Sequence, residues 1–173
     1  MILRGNSAAG KTTLAQALQR ALGRGTANIG QDHFRRVVLR EHDVPGGDNI
    51  GLIATTAQYC LGIGYHVILE GILFSVHYGA MLRRLIDAHQ GPSHVFYLDV
   101  PLEETLKRHE GRALRGSVTP EEFRSWYVPS DQLGTPGEVI LDGTACLEET
   151  LRILCAQIGT LPPRAEHDGA RFL

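Results

Sequence analysis

A chain of 173 residues has the length of one domain and is long enough to bury a core of its own. Its 43 % hydrophobic and 21 % charged content is that of an ordinary globular protein, and a formal net charge of −2 offers no basic field for holding a long nucleic acid. No apolar run approaches the roughly 20 residues that span a bilayer, and Cys60, Cys146 and Cys155, without C-x-x-C spacing or nearby histidines, read as buried thiols of a reducing compartment.

Met1–Arg4 is a short apolar opening that runs straight into a glycine loop. This leaves no room for a signal peptide, and the expectation is a soluble cytoplasmic protein. Lys11–Leu22 carries Leu14, Leu18, Ala21 and Leu22 at helical spacing and is ended by Gly23 and Gly25. Thr26–Gly30 is a second strand, and Asp32 is placed to cap a helix running to about His42. Val44 to Asp48 is a loop by its turn residues. A helix from about Ile50 to Gly62 precedes a strand, His66–Leu69, that ends in Glu70-Gly71. A further helix near Val76–His89 leads through Gly91-Pro92 to His94–Val100, whose unbroken apolar run suits a buried parallel strand. Pro101 fits the first position of a helix reaching about Gly111. Thr119-Pro120-Glu121-Glu122 is a capping box opening a helix to about Tyr127. Glu138–Leu141 is the last strand and Leu147–Ile158 the last long helix. Alternating strands and helices predict a mostly parallel five-stranded sheet covered on both faces, in one domain over residues 1–160 with a tail at 161–173.

Gly5-Asn6-Ser7-Ala8-Ala9-Gly10-Lys11-Thr12 satisfies G-x-x-x-x-G-K-[ST] in full, between a strand and a helix. The glycines let successive N–H groups turn inward on phosphate oxygens, and the helix adds the positive end of its dipole. Lys11 supplies a mobile charge near the β and γ phosphates, the Thr12 hydroxyl is a ligand for Mg²⁺, and Thr13 continues the cradle. Lys11 and Lys107 are the only lysines against fifteen arginines. Lysine therefore stands in the loop although arginine is this chain's usual cation, and the two differ at a phosphate site.

Nucleotide binding alone does not separate kinases from ATPases or switches. Asp32-His33-Phe34-Arg35 follows the second strand, and an Asp and an Arg three apart share one face of a helix's first turn. The carboxylate can orient or deprotonate an acceptor hydroxyl, and the guanidinium can hold a polar or anionic acceptor. The carboxyl end of a strand in an open α/β sheet is where ligands sit.

The order Walker loop, strand, Asp-x-Phe-Arg resembles the small P-loop kinases that include polynucleotide 5′-kinases, chloramphenicol phosphotransferase and zeta-type toxins, over roughly Met1 to Ile158. The resemblance implies a three-layer α/β/α P-loop NTPase fold with a helical lid, here about 108–130, and ATP and Mg²⁺ as cofactors. It gives Asp32 the general-base role and Arg35 the acceptor contact, with Phe34 where polynucleotide kinases have tyrosine. It makes Arg108 an adenine-side residue and Arg112 the lid arginine that meets the transferred phosphoryl group, with Arg115 nearby. It also makes Asp142-Gly143-Thr144-Ala145 a purine-contacting loop, with Gly143 and Thr144 at the nucleotide. Glu70, where Walker B patterns more often have Asp, stands between water-mediated metal contact, acceptor binding and a structural part. Asp99 is read as a helix cap, Trp126 and Tyr127 as pocket lining or helix anchors, and Asp48-Asn49 as within reach of an acceptor. His33, His77, His94 and His109 show no metal-ligand spacing.

The reading is γ-phosphoryl transfer from Mg²⁺-ATP to a hydroxyl of a small molecule such as a nucleoside, sugar or antibiotic. Its rivals are a polynucleotide 5′-kinase-like activity and a non-kinase nucleotide switch that binds a protein partner. Neither a membrane nor a long nucleic acid is an expected partner, and ATP over GTP, the acceptor and the oligomeric state stay open.

Overall fold

The computed structural model describes residues 1–110 and 119–161. Five strands, β1 (Ile2–Arg4), β2 (Thr26–Gly30), β3 (His66–Glu70), β4 (Val95–Asp99) and β5 (Val139–Asp142), pair in the order β2-β3-β1-β4-β5, and every pair is parallel. The helices are α1 (Lys11–Leu22), α2 (Asp48–Gly62), α3 (Ser75–Ala88), α4 (Leu102–Glu110), α5 (Pro120–Ser125) and α6 (Leu147–Ile158), with a π-helix at His33–Leu39. Among the described residues no helix is long and apolar enough to cross a membrane.

Side chains alternate across the pleat, and this sorts the core into two halves. Leu3, Ile68, Phe96 and Leu98 face Leu14 and Leu18 of α1 and Leu154 of α6. Their neighbours Ile2, Val67, Leu69 and Val95 face Ile53 and Ala57 of α2 and Leu82 and Leu85 of α3. The result is the expected three-layer α/β/α arrangement. Fully burying each of these large aliphatic side chains contributes about 1.5–3 kcal/mol, so the layers hold through many modest contributions.

Register carries the chemistry to one edge. Gly30 of β2 lies opposite Glu70 of β3, and Leu3 of β1 opposite Glu70 from the other side. The residues that follow, Gln31-Asp32 and the loop from Gly5, therefore leave the sheet side by side.

Several boundaries differ from the sequence reading, each for a local reason. The helix after Asp32 is neither α-helical nor as long as expected. Asp32 itself has helical angles (φ −62°, ψ −33°) and makes no capping bond, so the capping role assigned to it is corrected. Its carboxylate instead receives Arg35 and Arg36. Arg40 in the left-handed region (φ 55°) ends the π-helix, its N–H donating to the Arg35 carbonyl. α2 begins at Asp48, two residues earlier than read, because Glu41 Oε1 accepts the Asn49 N–H (2.7 Å) and caps the end from a distance. α4 starts at Leu102, one residue after Pro101, whose carbonyl accepts the Glu104 and Thr105 amides. The capping box at Thr119 and Glu122 is formed as read, although α5 stops at Ser125.

Candidate active site

Gly5 has φ +146°, and a Cβ there would lie 2.5 Å from the Leu98 carbonyl oxygen. Only glycine lets the chain turn out of β1 this closely against β4. Ala8 then takes the left-handed region (φ 61°), a strained setting of the kind that gathers at functional sites. Gly10 (φ 96°) leads into α1, whose amino end opens on a small pocket. Ser7, Ala8, Gly10, Lys11, Thr12, Thr13, Asp32, Glu70, Gly71 and Ile72 line it. The structure thus brings together the glycine loop, Asp32 and Glu70, which the sequence separates by up to sixty-five positions. Lys11 Nζ donates to the Asn6 carbonyl (2.7 Å), and the Thr12 hydroxyl donates to Glu70 Oε1 (3.0 Å). Thr12 and Glu70 are hard oxygen donors beside a phosphate cradle, the set that suits Mg²⁺ shared with a nucleotide. Among the described residues no group of three His, Cys, Asp or Glu side chains is placed to hold a metal without such help.

Asp32 Oδ1 accepts from Arg35 Nη2 (2.9 Å) and from Arg36 Nε (3.2 Å). Asp32 has helical angles, and residues three and four positions on neighbour it across the first turn, so two successive arginines reach one carboxylate. Partial desolvation pulls the Asp32 pKa upward, but the Arg35 hydrogen bond and the Arg36 and Arg35 charges outweigh it and hold the carboxyl below its ordinary range. Glu70 moves the other way. Burial raises it, Asp32 adds to the rise, and Lys11 and the Thr12 hydrogen bond only partly offset them.

The resemblance makes Arg35 the acceptor contact. The structure places it with its side chain only 13 % exposed, bridging Asp32 and the Glu41 carbonyl (3.4 Å). Arg36, passed over in the sequence, is 45 % exposed, and Asp32 beside it is 63 % exposed. The signal that could have found it is the doubled arginine one helical turn after the aspartate.

The other sequence candidates fall as follows. Arg108 Nε pairs with Glu104 (2.9 Å), and its Nη1 reaches the Ala9 carbonyl (3.4 Å), so the residue does touch the cradle. Arg112 and Arg115 lie outside the described residues, as does the tail from 162 onward. Gly143 donates its N–H to the Asp99 carbonyl (2.7 Å), and both the N–H and the hydroxyl of Thr144 turn onto Asp142 Oδ1. Asn49 is buried against Glu41 and Tyr78 rather than available to an acceptor. Tyr127 anchors its segment by donating to the Val100 carbonyl (3.0 Å).

Two buried polar knots escaped the sequence reading. Asn6 clasps Val128 as a strand would, donating to its carbonyl (2.9 Å) and accepting its N–H (3.0 Å). Arg4, wholly buried at the end of β1, donates to the Leu73 carbonyl through Nε and Nη2 (3.1 and 2.9 Å), to Asp131 (2.9 Å) and to Glu138 (3.5 Å). A charged residue closing an apolar strand was the available signal.

A larger cavity of about 360 Å³ lies at the opposite, amino-terminal edge of the sheet, near Met1, His66 and His94. Its lining is mainly apolar and has no glycine loop, so it does not compete as a phosphate site.

A family model described as an AAA domain matches residues 1–127. No curated protein matches the chain. Among solved structures, the APS kinase of Mycobacterium tuberculosis in complex with AMPPNP and APS is similar, with a TM-score of 0.69 and 16 % identity, over 91 % of this chain and 96 % of that one. A gluconokinase from Sinorhizobium meliloti gives 0.63 and 16 %, over 90 % and 88 %. A sugar kinase from Janibacter gives 0.62 and 18 %, over 91 % and 92 %. With its glycine loop in the expected geometry and a sheet shared with these kinases, the chain has the small P-loop kinase fold and belongs to the AAA domain family.

Proposed function

We propose that this chain is an ATP-dependent kinase that transfers the γ-phosphoryl group to a hydroxyl of a small-molecule acceptor. One observation carries the reading: Asp32, held by two arginines, opens on the same pocket as Lys11 and Thr12. A passive nucleotide switch has no need of a carboxylate fixed there; an ATPase would aim it at water, and the labelled-phosphate test below separates the two. The kinase names of the structural neighbours support the same reading, as does the mild negative charge, which disfavours a polynucleotide end.

In this mechanism the cradle amides and Lys11 bind the phosphates, and Thr12, with Glu70 behind it, would hold Mg²⁺. The ion supplies neutralisation of the charge that develops between the β and γ phosphates. Asp32 accepts the hydrogen bond of the acceptor hydroxyl and aims its oxygen at phosphorus. With its acidity strengthened, Asp32 is a weak base, which suits a loose transition state that needs positioning more than early deprotonation. Arg35 fixes Asp32, and the more exposed Arg36 beside it is the arginine we assign to the acceptor. Arg108 contributes from α4 at the cradle, and Arg112 is the proposed lid arginine for the transferring group.

The test uses γ-labelled ATP with glucose, gluconate, adenosine and chloramphenicol as acceptors. Label is expected on one of them, and Asp32→Asn is expected to lower transfer about 100-fold or more while ATP binding changes little. Label found only as free phosphate, or Asp32→Asn with full transfer, would overturn the kinase reading.

A further inference from the structure

Gln31 precedes Asp32 and is buried to 2 % exposure, yet it is neither apolar nor charged. Its amide uses both ends. Oε1 accepts the Leu73 N–H (3.0 Å), and Nε2 donates to the Tyr78 hydroxyl of α3 (2.8 Å) and to Asp43 Oδ2 (3.1 Å). Leu73 is a non-glycine residue at φ 48°, which sterics disfavour. Gln31 grips its N–H while Arg4 takes its carbonyl twice. The turn that leaves β3 is thus held in a costly shape from both sides.

Glu70 starts that turn. Asp32 follows Gln31 directly. One buried amide therefore joins the two segments that carry the carboxylates of the phosphate pocket. Gly71, next to Glu70, shows how closely they meet: a Cβ there would lie 2.5 Å from Gln31 Oε1 and 2.6 Å from Gln31 Cβ.

We propose that Gln31 is a positioning residue of the transfer centre, its amide fixing the spacing of Asp32 and Glu70 and so the alignment of acceptor hydroxyl and γ-phosphate. Gln31 touches no substrate; it acts through the turn at Leu73 and through Asp32. The inference rests on the kinase reading above.

The test compares the wild type, Gln31→Ala, Gln31→Glu and the double variant Gln31→Glu/Asp43→Asn, using the acceptor that the wild type phosphorylates. Gln31→Glu keeps the acceptor for Leu73 but sets a second carboxylate against Asp43; Asp43→Asn returns a donor to that contact. Thermal midpoint and affinity for a fluorescent ATP analogue are measured alongside kcat and KM. Both single variants are expected to lose kcat about 10- to 100-fold with ATP affinity changed less than about threefold, since small misplacements at a reacting centre cost that much. The double variant is expected to recover most of the kcat. Folded single variants with wild-type kcat, or a double variant that regains its thermal midpoint but not kcat, would overturn the proposal. If Gln31→Ala does not fold, the Gln31→Glu pair decides. A wild type that transfers to no acceptor removes the kinase reading and this inference with it, whereas wild-type transfer with unaffected variants removes the inference alone.

Discussion

Two carboxylates in one pocket, Asp32 and Glu70, are driven apart in acidity by what touches them: paired guanidiniums on the first, burial on the second. The raised pKa of Glu70 means that the folded chain binds its proton more tightly than the unfolded chain does. Its ionisation therefore costs stability as pH rises from the ordinary glutamate value of about 4.3 through the folded one. Glu70→Gln keeps an oxygen for the Thr12 hydroxyl and removes that cost. The variant is expected to gain stability over the wild type at pH 7 and to show little gain at pH 4, measured by urea unfolding; equal shifts at both pH values would refute this origin. At this scale the cradle was legible because its residue order is tied to phosphate chemistry, and Asp32 because it follows a strand end. Gln31 was not legible, since a neutral polar residue at such an end has no periodic signature, and its meaning lies in Leu73, forty-two positions away.

At the level of elements, β1 is held by more than its ladder. Arg4 ties it to the turn before α3 through Leu73 and to the segment after α5 through Asp131, whose carboxylate also accepts from the N–H and hydroxyl of Ser75 at the start of α3. Removing one partner of a buried charge set leaves the other partners uncompensated. Arg4→Met is expected to cost about 3–5 kcal/mol in urea unfolding, more than an aliphatic truncation of similar size would suggest. A loss below about 1 kcal/mol, the range of a surface pair, would show that Asp131 and Glu138 find other partners. The strand itself was readable from its apolar residues. A helix after Asp32 was readable too, but not its π form or its end: none of its residues is fully buried and only Phe34 packs against the core, so no spacing sets it apart from an α-helix.

Across the whole molecule, the alternation of strand and helix was enough to foresee the three layers, and the register of β1, β2 and β3 explains why one edge collects the pocket. A ligand that binds only the folded state stabilises it by mass action. Mg²⁺-ATP at about 100 times its dissociation constant is expected to add ~2.7 kcal/mol, a rise in thermal midpoint on the order of 5–10 °C for a chain of this size. Lys11→Ala is expected to abolish most of that rise in a fluorescence melt, while a full rise in the variant would place the nucleotide elsewhere. The π-helix His33–Leu39 bears on how such a molecule can change over generations. Val37, Val38 and Leu39 stand in solvent, and the segment is secured through Phe34, packed against the α2–α3 half of the core, and through Arg35. Most substitutions along it leave both hydrophobic layers untouched, so the stretch beside the proposed acceptor position can be rewritten without renegotiating the stability of the sheet. On the proposed kinase reading, a lineage carrying this scaffold is able to explore new acceptors while its nucleotide chemistry stays constant.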